Sequence, residues 1–181
     1  MKDEERNAAI TPMMRELLRA IRRGDSQGVQ ALLLADVKLN WLDENGCSPL
    51  FYAIHGRHFD IATKLLERGA DVDFPDRHGW TPLFWAAFNG RADVVAFLVA
   101  RGADANVPTP DGDAPLFLAA YKGHAEIVRL LLAGGAHWAA VGPEGRNALW
   151  VARARGHGEI VKLLAACSSS DAGEGRYGWG R

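Results

Sequence analysis

Three sets of residues in this 181-residue chain have types and spacings that could do chemistry. His55 and His58 stand three apart, so a helix would turn both imidazoles to one side, as a zinc site needs. Asp71, Asp73 and Asp76 supply oxygens at the close spacing of a calcium loop. Cys47 and Cys167 are the only thiols, and their separation fits no metal or redox motif. The first two sets lose their force once it is noticed that they recur. His58 returns as His124 and His157 at multiples of 33 residues, so it belongs to a repeated turn and leaves His55 as a lone surface histidine. The three aspartates occupy repeated loop positions and are expected to shape turns. No G-x-S-x-G, P-loop, H-E-x-x-H or paired-cysteine motif is present, so neither an enzyme nor a cofactor is expected.

Composition narrows the field further. Lys and Arg number 21 against 22 Asp and Glu, a net charge of −1 that exerts no long-range pull on nucleic acid or anionic lipid. The last repeat is locally basic through Arg146, Arg153, Arg155 and Lys162, but nucleic acid is not the expected partner. No apolar run reaches the roughly 20 residues that span a bilayer. The start, MKDEERNAAI, has no apolar core of a secretory signal. Two free thiols then suit a reducing compartment, and a cytoplasmic location is expected.

The elements that must position any site come from a repeat. Ser48-Pro49-Leu50-Phe51, Thr81-Pro82-Leu83-Phe84 and Ala114-Pro115-Leu116-Phe117 start 33 residues apart, and Asn147-Ala148-Leu149-Trp150 is a weaker fourth copy. One step back lies Arg15, with Leu17 and Ala20 holding the apolar positions. Gly24, Gly90, Gly123 and Gly156 share this phase. Each unit reads as two short helices. Thr81 is a candidate N-cap, Pro82 suits the first helical position, and Leu83, Ala86 and Ala87 form a narrow apolar stripe. Gly90 breaks that helix, Val94 to Val99 form a more apolar second one, and Gly102 is placed to end it left-handed. Helices this short cannot bury their faces alone, so successive units must stack.

The pattern D-x-x-G-x-T-P-L, A-A-x-x-G, a Leu-rich helix and G-A-D resembles the ankyrin repeat. The resemblance covers about residues 12–167, with units starting near 15, 48, 81, 114 and 147. Residues 1–11 are left as an N-terminal extension and 168–181 as a flexible Ser/Gly-rich tail, with Tyr177 and Trp179 near its end. The resemblance implies an all-α solenoid of stacked helix pairs with projecting hairpin or loop fingertips, acting as a protein-binding scaffold. In place of the family's His after T-P-L stand Phe51, Phe84, Phe117 and Trp150, expected to form an apolar ladder. Lys64 replaces an apolar residue of the second helix, and its ammonium is expected to reach solvent. Arg57 replaces the turn glycine, which predicts a local irregularity. The first unit carries Arg15, Glu16, Arg19, Arg22 and Arg23, and the last has Arg153 where inner units have Ala87 and Ala120, as solvent-facing caps would.

In this family partners meet the fingertips and the exposed side of the first helices. Carried onto this chain, that surface comprises Tyr52, Arg77, His78, Trp80, Trp85, Phe88, Asn89, Asp111, Asp113, Tyr121, Lys122 and Arg155, with Pro143, Glu144 and Arg146 at the last fingertip. The aromatic members Tyr52, Trp80, Trp85, Phe88 and Tyr121 are expected to share a concave groove framed by Arg77, Lys122 and Arg155. The implied activity is binding of another protein by a chain that is monomeric on its own. Inhibition of that partner is the sharper expectation, with a bacterial effector that binds host proteins as the alternative.

Overall fold

The computed structural model describes residues 11–142 and 145–171. Residues 1–10, Pro143, Glu144 and the stretch holding Tyr177 and Trp179 lie outside the described residues. The described residues form ten helices: α1 (Pro12–Arg23), α2 (Ser26–Leu32), α3 (Pro49–His55), α4 (Phe59–Glu67), α5 (Pro82–Phe88), α6 (Ala92–Ala100), α7 (Pro115–Lys122), α8 (Ala125–Ala133), α9 (Ala148–Ala154) and α10 (Gly158–Asp171). The helix pairs fall at the 33-residue register, and the fold is an all-α repeat solenoid. Fingertips are tight turns; among the described residues the extended pairing is a single bridge, Val141 with Asn147. The last helix continues past Cys167 to Asp171, into the stretch expected as a tail.

Local chemistry starts the helices. The Ser48 hydroxyl accepts the Phe51 N–H at 3.1 Å, and Asn147 Oδ1 accepts that of Trp150 at 2.9 Å. Thr11 caps α1 from its side chain, so this helix begins ahead of the repeat register. Gly102 has φ +82°, the left-handed geometry expected where the second helix of the unit ends.

The chain divides into two compact units. The first comprises residues up to Pro82 together with Arg101–Ala103; the second comprises Leu83–Ala100 and everything from Asp104 onward. In the first, α1 packs on α2 and α3, α3 on α4, and α2 on α4. Leu17, Ile21, Leu50, Ile54, Ile61 and Leu65 are fully buried there. Trp41 is also buried, packing with Met14 and Leu18 while its indole N–H donates to the Lys38 carbonyl at 3.0 Å. In the second unit, α7 packs on α8 and α9, α9 on α10, and α8 on α6 and α10. Leu83, Leu98, Ile127, Leu131 and Ile160 are its fully buried large side chains. Each such side chain contributes about 2 kcal/mol of transfer free energy.

Two side-chain devices tie successive repeats. Asn40 Oδ1 accepts the Asp71 N–H at 2.8 Å, and Asn106 does the same for His137 at 2.8 Å. The other device is histidine on glycine. The His58 ring lies 2.7 Å from where a Cβ on Gly24 would stand; His124 covers Gly90 and His157 covers Gly123 in the same way. His157 Nε2 also lies 3.2 Å from the Tyr121 carbonyl oxygen. The turn glycines are therefore needed both for their left-handed backbone and for the ring that covers them.

Two sequence expectations change. Arg57 does not disturb its turn: it adopts φ +61°, beside +69° at Gly24 and Gly90. The Lys64 ammonium does not reach out to solvent but donates to the Ser26 carbonyl at 3.0 Å and to Ser26 Oγ at 2.5 Å, fastening α4 to the start of α2. His55 lies at the surface as expected, where its ring stacks on Phe51 with centroids 6.0 Å apart. The end repeats do turn charge outward, since Arg15, Glu16, Arg19, Arg22, Arg23 and Arg153 are all exposed.

Candidate functional site

The fingertips are built on one acceptor at a repeated position. Asp43 Oδ1 accepts the N–H groups of Asn45 and Cys47, both at 3.0 Å. Asp76 Oδ1 accepts those of His78 at 2.8 Å and Trp80 at 2.9 Å. Thr109 takes the place in the next finger, accepting the Asp113 N–H at 3.3 Å. Of the aspartates expected to shape turns, Asp76 does so here, and Asp71 Oδ1 accepts the Asp73 N–H at 3.0 Å.

In the first unit the candidate residues are held by these fingers. Tyr52 donates from its hydroxyl to Asp43 Oδ2 at 2.7 Å, and the Arg22 guanidinium lies 4.2 Å from its ring centroid. Arg22 also pairs with Asp43 at 3.1 Å. Burial pushes the Asp43 carboxyl up, but hydrogen bonds from Cys47, Tyr52 and Asn45 outweigh it and hold the group below its ordinary range. Burial, then the Asp43 charge, pushes the Cys47 thiol up, which keeps it protonated and unreactive. The Arg77 side chain lies along Gly46 and its guanidinium donates to the Glu44 carbonyl, bracing one finger on the previous one. His78 is exposed, and its ring stands 6.4 Å from that of the half-buried Trp80.

The second unit opens a groove of about 550 Å³. Asp111, Asp113, Phe117, Tyr121, Arg146, Trp150, Val151, Ala154 and Arg155 line it. Phe117 and Tyr121 stand one turn apart on α7, and Trp150 and Ala154 one turn apart on α9, so two short helices present rings toward one opening. Guanidinium groups lie over two of the rings: Arg155 is 3.9 Å from the Tyr121 centroid and Arg146 is 4.7 Å from that of Trp150. Trp150 is 49% exposed and Tyr121 37%, among the most exposed large apolar side chains described. Partial burial and the neighbouring Asp111 charge push the Asp113 carboxyl above its ordinary value.

Four candidates, Asp111, Asp113, Tyr121 and Arg155, thus meet in one groove. Lys122 sits beside it with its ammonium 4.4 Å from the Phe88 ring centroid. Asn89 is exposed and donates from its side chain to the Trp85 carbonyl at 2.9 Å, while Trp85 itself is half-buried on α5. Tyr52, Arg77, His78 and Trp80 belong to the first unit. The sequence places Phe117 and Trp150 in a stacked ladder and Arg146 at the last fingertip, and the structure brings all three to the groove. At the ladder position Phe84 is buried, Phe117 half-buried and Trp150 exposed. The spacing of Arg146 four residues before Trp150 was the available signal.

The chain belongs to the ankyrin-repeat family: the family model for ankyrin repeats (3 copies) matches residues 17–109 and 97–173. Ankyrin repeats are protein–protein interaction modules. No helix among the described residues is long and apolar enough to cross a membrane.

Proposed function

We propose that this protein binds a partner protein through the aromatic groove of its second unit and acts by occupying the partner's own contact surface. The observation that carries this reading is the pair of exposed rings, Tyr121 and Trp150, each with an arginine on its face. Folding alone gains little from leaving a tryptophan half in water. Aromatic and arginine side chains in such a setting are the usual anchors of an interface. Lys122 on Phe88 extends the same chemistry one helix further. Occupation of this kind would inhibit a partner that uses the covered surface.

Capture of partners from the native cell, with the wild type beside Tyr121→Ala/Trp150→Ala, tests the reading. The double variant is expected to lose the captured partner while keeping its helical circular dichroism and melting temperature. Unchanged capture would place the interface elsewhere. The recovered partner's activity with and without this protein then tests inhibition.

A further inference from the structure

The groove has different chemistry at its two ends. Asp111 and Asp113 lie on the loop just before α7, and Arg146 just before α9, so two carboxylates and one guanidinium stand at the finger end. Tyr121 and Arg155 lie at the other ends of the same helices, and the stacking of one on the other shows that α7 and α9 run alongside in the same direction. The finger end is thus net negative and the turn end net positive, with Phe117 and Trp150 between and Tyr121 beneath Arg155. Partial burial, then the Asp111 charge, pushes the Asp113 carboxyl above its ordinary value, and an incoming cation would offset both. The Arg155 guanidinium, 3.9 Å from the Tyr121 ring centroid, is placed where it can take a carboxylate at the turn end.

We propose that the groove takes a short extended segment of a partner protein bearing a basic side chain at the finger end, a large apolar side chain over the rings and an acidic side chain at the turn end. This rests on the groove being the contact surface. The eight residues of α7 rise about 12 Å, which an extended chain covers in about four residues. The basic and acidic side chains are therefore four apart with the apolar one midway, the base toward the fingers and the acid toward the turns, in whichever direction the segment runs.

A display library of random peptides selected on the full chain, with counter-selection on Trp150→Ala, tests this. The expected consensus is a Lys or Arg and an Asp or Glu four apart with Trp, Phe, Tyr or Leu between. Replacing the acidic residue of a selected peptide by Ala should weaken binding about fivefold, the size of one partly exposed charged contact. Arg155→Glu should reverse the preference at that peptide position, and Asp111→Asn/Asp113→Asn should remove the preference for a base while leaving the acidic one. Each variant is checked by circular dichroism, and either one suffices. The proposal is overturned by a consensus without one charge of each sign four apart, by peptides that bind Trp150→Ala equally well, or by no enrichment. It is also overturned if sedimentation shows the chain self-associating in a manner that Trp150→Ala abolishes, since the occupant is then a second copy. If native capture is lost in the groove variant while the peptides show no charge order, the contact surface stands and the motif falls.

Discussion

At the scale of single residues, the inter-helix turns show how backbone geometry and a distant side chain set one constraint together. Arg57 holds a left-handed φ of +61° that Gly24, Gly90, Gly123 and Gly156 hold without Cβ strain. A non-glycine residue in this region costs about 1–2 kcal/mol, and glycine's extra freedom in the unfolded chain returns about 0.5–1 of that. Arg57→Gly should therefore raise stability by about 0.5–1 kcal/mol, read as a later urea midpoint with an unchanged slope. Gly123→Ala should do the reverse and more, losing about 2 kcal/mol, because its new methyl group meets the His157 ring at 2.7 Å as well as the strained backbone. An unchanged midpoint for Gly123→Ala would mean that the ring moves aside at no cost. The phase of the turn glycines was legible in the sequence, and so was the recurrence of histidine at the next position. Their meeting was not, because Gly24, Gly90 and Gly123 are each covered by a histidine 34 residues later, and no local pattern announces a contact between repeats. Lys64 was misread for the same reason: its acceptor, Ser26, lies 38 residues away.

At the scale of elements, fingers and turns respond to pH in separate ranges. Asp43 is the anchor of the first finger and its folded acidity is lowered by its donors despite its burial. A carboxyl with a depressed folded pKa stabilises above its unfolded value, 3.8 here, and that stability is lost as pH falls through the folded value. Asp43→Asn should accordingly lower stability at pH 7 and flatten the acid limb of the stability profile. An acid limb as steep as that of the wild type would show that other carboxylates set it. His124 works in a higher range. Burial, then Lys122 and His157, lower its pKa beneath 6.5, so the neutral ring is the form that covers Gly90. Its contribution is complete above pH 6.5 and is lost as pH falls below. His124→Asn should remove the part of the stability loss between pH 7 and 5 that belongs to this ring, measured by urea unfolding at each pH. The helices themselves were readable from Pro at the first position, Gly at the turn and the apolar stripe between. The finger network was not, since Asp43, Tyr52 and Arg22 sit on three elements whose convergence depends on packing.

At the scale of the whole molecule, repeat architecture makes stability a sum of each repeat's own contribution and its contacts with neighbours. The consequence is clearest within the second unit. Leu131 on α8 and Ile160 on α10 are equally buried, and cutting either to Ala removes a comparable side chain at about 2–5 kcal/mol. Their surroundings differ. The helix carrying Leu131 packs on α6, α7 and α10, with a repeat on either side, whereas α10 packs mainly on α8 and α9. Losing the inner repeat removes two interfaces at once, and losing the last one removes a single interface. Leu131→Ala should therefore strip hydrogen-exchange protection from α6 through α10 together. Ile160→Ala should strip it from α9 and α10 and leave α6 to α8 protected. Equal spread in both variants would make the unit one cooperative block rather than a chain of neighbours. The groove gives this distinction a functional edge, because Trp150, Val151, Ala154 and Arg155 all come from α9 or the residue that follows it. Ile160→Ala should thus weaken partner capture through fraying of one wall of the groove, and should do so before the global unfolding midpoint of α6 to α8 has moved.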